Sequence, residues 1–109
     1  MAAPDRRPRF RAAVYRSRSL SDRDRVFLLL LSELPAQQQD GRAYQGSRAM
    51  DAQGVVRLHR AYLADRLGCS EQTIRRCLRV CCKEGFLGLV RHGTHGYPGT
   101  YQALIPDRP

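Results

Sequence analysis

Lysine is almost missing from this chain: Lys83 is the only one, and the other eighteen basic residues are arginine. Long apolar runs are missing too. The longest is Val26–Leu31, far short of the roughly 18 residues that a membrane-spanning helix needs. The arginines near the N-terminus are not followed by an apolar segment, so a secretory signal is not expected. These gaps point to a cytoplasmic protein with no membrane partner. Catalytic patterns are also lacking. There is no Ser/His/Asp pattern, no phosphate-cradling glycine loop and no convincing pair of carboxylates. A chain of 109 residues leaves little room for an elaborate active site. The expectation is a protein that is not an enzyme and uses no cofactor.

What is present is positive charge. Nineteen bases face ten acids, for a formal charge of +9 and a pI near 10.3. Such a balance calls for an anionic partner, and nucleic acid is the first candidate. Apolar residues make up 42%, enough for a modest core in one domain. The charge is unevenly spread. Residues 1–20 hold six arginines and one acid, Asp5, while residues 54–84 hold seven bases and three acids. The rest of the chain is close to neutral.

The segment Pro4-Asp5-Arg6-Arg7-Pro8-Arg9-Phe10-Arg11 combines prolines with like charges. Residues 1–20 are therefore expected to form a disordered basic arm. Two roles stay open for it. It is a solubilising tail that reflects an arginine-rich coding bias, or it lies on phosphates or in a minor groove.

Hydrophobic spacing organises the remainder. Ser21-Asp22 reads as a helix start, and Val26, Phe27, Leu30, Leu31 and Leu34 recur at helical intervals before Pro35. Residues 36–54 are rich in Gln, Gly and Asp and read as a long loop, with a short helical or strand piece around Tyr44 to Met50. Val55–Leu58 reads as a strand. A helix follows from about Arg60 to Leu67, closed by Gly68. Ser70 caps another, whose apolar stripe is Ile74, Cys77, Leu78, Cys81 and Cys82, and Gly85 stops it. Residues 86–90 and 101–105 read as two strands of a hairpin, joined by a loop dense in turn formers. Residues 106–109 form a tail.

The order helix, strand, helix, tight turn, helix, hairpin resembles a winged helix-turn-helix DNA-binding domain over residues 21–105. The phrase Leu-Ala-Asp-Arg-Leu-Gly-Cys-Ser-Glu-Gln-Thr-Ile-Arg-Arg (63–76) carries the likeness. It is similar to the GntR-like regulators and to winged domains of small bacterial plasmid and phage proteins. Lys83-Glu84-Gly85-Phe86-Leu87 resembles the family's step from recognition helix to wing. The resemblance implies an α+β, mainly α fold: a three-helix core with a C-terminal β-hairpin wing.

If Ile74, Cys77, Leu78 and Cys81 face the core, Gln72, Thr73, Arg75, Arg76 and Arg79 lie outward or on the flanks. Arginine can pair with guanine O6/N7 and glutamine with adenine N6/N7, so Gln72 and Arg76 are expected at base edges. Thr73, Arg75 and Arg79 suit phosphates or the groove rim, and Ser70 sits near the helix N-terminus where phosphates are also held. The resemblance implies a phosphate or minor-groove role in the wing for Arg91 and His95. A solvated basic face is the bland alternative for the helix, and a plain turn for the histidines.

Four cysteines (69, 77, 81, 82) and three histidines (59, 92, 95) invite a zinc reading. Cys77 and Cys81 share the apolar stripe with Ile74 and Leu78, which favours core packing over metal ligation. No metal and no disulfide are expected, although Cys82 leaves a redox-sensing thiol open.

The expected function is a double-stranded DNA-binding transcriptional regulator, cytoplasmic and nucleoid-associated. One recognition helix reads few base pairs, so a homodimer on a two-fold site is expected. The N-terminal segment and the apolar run from Phe27 to Leu31 are its expected self-contact. Two rivals remain. One is a plasmid or phage replication, partition or excision accessory protein binding DNA repeats. The other is a winged-helix module that docks on a protein partner.

Overall fold

A computed structural model describes residues 4–37, 43–48, 50–92 and 99–106. Its elements build one core from both ends of the chain. The first is not the expected disordered arm. Helix α1 spans Arg7–Arg16 and buries Phe10 and Val14. Phe10 and Val14 are four residues apart and so share one helix face. Pro8 falls in the first turn, where no intrahelical N–H bond is needed. Asp5 Oδ1 accepts the Arg7 backbone N–H at 3.0 Å, and the Arg6 N–H donates to the Ala52 carbonyl at 2.9 Å. Charge density hides a short amphipathic helix whose apolar anchors overcome its self-repulsion.

Helix α2 spans Asp22–Glu33, with Ser21 accepting the Asp24 N–H as its cap. Phe27, Leu28 and Leu31 are fully buried on it. Its surplus of apolar residues does not require a second copy of the chain, because α1 packs against α2. Pro35 opens strand β1 (Pro35–Gln37), which pairs antiparallel with β2 (Ala43–Arg48). The expected long loop thus contains two paired strands. Their Gln- and Gly-containing segments show no apolar alternation, so the sequence period is silent there while backbone pairing forms the ladder.

Strands β3 (Val55–Leu58), β4 (Leu87–Arg91) and β5 (Gly99–Ala103) form a three-stranded antiparallel sheet in the order β3-β5-β4. Val56 faces Tyr101 in one ladder and Leu87 faces Ala103 in the other. The register slips between Leu89 and Arg91. Helices α3 (Arg60–Leu67) and α4 (Glu71–Lys83) lie between β3 and β4 in the chain and pack on each other, and α4 also packs on α2. Phe27, Leu31, Val56, Leu63, Ile74, Cys81, Phe86 and Leu87 meet in the core. Among the described residues the protein is thus a small α+β fold of four helices, a three-stranded antiparallel sheet and a two-stranded one. No helix among them is long and apolar enough to cross a membrane.

Candidate nucleic-acid interface

The α3–α4 corner is made by its caps. Gly68 ends α3 at φ 66°, ψ 37°, the left-handed region. Its N–H donates to the Asp65 carbonyl at 3.3 Å, and the Cys69 N–H donates to the Ala64 carbonyl at 2.9 Å. This paired pattern closes a helix and turns the chain sharply. Two residues later Ser70 starts α4: its Oγ accepts the Thr73 N–H at 3.2 Å and lies 3.1 Å from the Thr73 hydroxyl. Both hydroxyls expected at phosphates are thus already joined in a cap, with Thr73 half-buried and Ser70 exposed. The pattern seen at Gly68 recurs at the other end of α4, where Gly85 and Phe86 donate to the Cys82 and Cys81 carbonyls.

Between these caps α4 is sharply two-sided. Ile74, Cys77, Leu78 and Cys81 are buried, and Gln72, Arg75, Arg76, Arg79 and Lys83 are exposed. At 3.6 residues per turn the exposed five fall within an arc of about 100° and run about 16 Å along the axis. Lys83 is not among the contact residues expected from the sequence. Continuing the spacing Gln72, Arg76, Arg79 by one more turn finds it. None of these four cations has an acidic partner among the described residues, where the ion pair is Arg7–Asp5. The stripe therefore carries four cations that make no ion pair among the described residues, and Glu71 is the exposed acid on the same helix.

Of the residues expected in a wing, Arg91 lies exposed at the end of β4, just after the register slip, paired in the ladder with Thr100. The slip leaves Val90 without a ladder partner and 62% exposed. A slip of this kind bends a strand and re-aims the side chains beyond it. His92 is exposed, and His95 lies outside the described residues.

Cys77 and Cys81 sit on the buried side of α4, Cys82 is half-buried on its flank, and Cys69 lies in the turn before it. Burial pushes the Cys77 thiol up to about 11, helped by its hydrogen bond to Asp24, which is itself buried beneath the start of α2. Burial also pushes the Cys81 and Cys82 thiols up. Metal binding and nucleophilic attack need thiolates, which this setting disfavours. No three His, Cys, Asp or Glu side chains among the described residues are grouped to hold a metal.

On α3, Arg66 stacks over the Tyr62 ring, 5.3 Å from its centroid, and its Nε donates to the Tyr62 hydroxyl at 3.1 Å. Comparison of the chain with models of protein families, with curated proteins and with solved structures finds no match in any of the three.

Proposed function

We propose that this chain is a winged helix-turn-helix protein that binds double-stranded DNA as a transcriptional regulator. The observation that carries the proposal is the stripe Gln72, Arg75, Arg76, Arg79 on the open side of α4, with no acidic neighbours paired to it among the described residues. A helix presented by a tight turn fits a major groove, which is about 12 Å wide. In that pose Arg76 and Gln72 meet base edges, while Arg75, Arg79 and Lys83 meet phosphates. Thr73 and Ser70 bring their hydroxyls and the N-terminal amides of α4 towards the backbone. The β4–β5 hairpin touches the flank through Arg91 and His95. Two copies on a two-fold site supply the affinity that one helix lacks. The setting is cytoplasmic, with the protein on the nucleoid.

Selection of bound duplexes from a randomised pool tests this reading. Wild-type protein is expected to enrich a short motif, and Arg76→Ala to relax one position of it. A pool that stays random with the wild-type protein overturns sequence-specific regulation.

A further inference from the structure

Helix α1 turns the N-terminal arginines into a fixed surface. Arg9 and Arg16 are seven residues apart, two turns, so they stand on one side of α1 about 10 Å from each other. Both are exposed, as is Arg18 just beyond the helix. None of the three has an acidic partner among the described residues, where the ion pair is Arg7–Asp5. Arg7 Nε and Nη2 both donate to the Asp5 carboxylate, and those bonds hold Asp5 at about 2, below the usual carboxylate range.

The surface is also held still. Arg7 Nη1 donates to the Met50 carbonyl at 3.2 Å at the front of α1. At its back, Arg25 of α2 donates to the carbonyls of Val14, Tyr15, Ser17 and Leu20. A tail that served only solubility would need none of these anchors.

We infer that the Arg9–Arg16 side of α1, with Arg18 just beyond its end, is a second anion-binding surface, distinct from α4, which takes the phosphate backbone of nucleic acid. Charge complementarity selects the occupant. An anionic membrane offers the same charge, but a helix lying on a membrane turns its large apolar residues outward. Here Phe10 and Val14 point into the core, Pro8 and Ala12 are exposed, and the one large apolar residue that α1 exposes is Tyr15, at 66%, a single ring and not an apolar face. A flat cationic side with small residues lets a phosphate strand approach closely.

The test uses the full chain and a fluorescent duplex of arbitrary sequence, titrated at several KCl concentrations. The triple variant Arg9→Gln/Arg16→Gln/Arg18→Gln keeps Phe10, Val14, Arg7 and Arg25, so α1 is expected to stay folded, as circular dichroism will report. Its log-log salt slope is expected to fall by about 0.9 for each lost phosphate contact, so by about 2 to 3. A variant with α4 neutralised, Arg75→Gln/Arg76→Gln/Arg79→Gln, is expected to retain weak salt-dependent binding that the α1 changes then remove. If that α4 variant binds like wild type while the α1 variant fails, the α4 assignment falls and the α1 surface stands. An unchanged slope and affinity in the folded α1 variant overturns the inference. So does binding to phosphatidylserine vesicles, lost in the α1 variant, with no effect of that variant on the duplex.

Discussion

Arg25 Nη1 lies 2.6 Å from the carbonyl oxygen of Val14, and this contact ties the second helix to the end of the first. The carbonyls at a helix C-terminus have no partners of their own and carry partial negative charge. One guanidinium reaches four of the carbonyls that follow Ala13, so it caps α1 and fixes its angle to α2. Replacing Arg25 by Ala should lower stability by about 2 kcal/mol, the range for hydrogen bonds to a charged donor. Phe10→Ala should cost about 3 kcal/mol through the cavity it leaves. Urea unfolding midpoints measure both. A free, disordered arm would give no change for either.

Helix α1 is the least legible part of the sequence. Phe10 and Val14 have the four-residue spacing of a helix face, but the arginines around them outweigh it in composition. Strand β1 is hidden for a different reason, since it contains no apolar alternation, and for the same reason β2 (Ala43–Arg48) shows in the sequence only as a piece around Tyr44 to Met50 that is either helical or a strand. By contrast, Ser21, Gly68, Ser70 and Gly85 can be read directly, because caps depend on local chemistry. The exposed stripe of α4 is also legible, since its burial follows from period alone. Lys83 is missed as a contact because the residues expected to meet DNA on this helix stop at Arg79, one turn before its end.

Gly68 and Gly54 separate backbone cost from crowding. Gly68 has φ +66° with open space where a Cβ would stand, so Gly68→Ala should cost about 1 to 2 kcal/mol from conformation alone. Gly54 has φ +84°, and a Cβ there would lie 3.2 Å from the Ala103 Cβ. Gly54→Ala should therefore be the more damaging of the two. Thermal melts rank them, and the reverse order would contradict the packing at β5.

Ser70 is a helix cap before it is anything else. Ser70→Ala should lower stability by about 1 kcal/mol, and Ser70→Gly by only a few tenths. Equal melting temperatures for all three proteins would mean that the hydroxyl does not support α4.

Cys77 links stability to alkaline pH. Its thiol rises from an ordinary value near 9 to about 11 in the fold, because burial opposes the thiolate. Between those values the unfolded chain has lost the proton and the folded chain keeps it. Stability from this group is complete below about pH 9 and declines as pH climbs towards 11. Cys77→Ala should flatten the decline in a pH series of urea midpoints. The same protonation should leave native Cys77 and Cys81 slow to alkylate at pH 8, with all four thiols reacting in denaturant.

The most direct measurement of the central claim is duplex affinity against salt for wild type and for Arg75→Ala/Arg76→Ala/Arg79→Ala. Wild-type binding should weaken steeply with KCl, and the variant should bind at least tenfold more weakly with a flatter slope, its fold intact. Equal affinity and equal slope for the two proteins would contradict α4 as the DNA-reading helix.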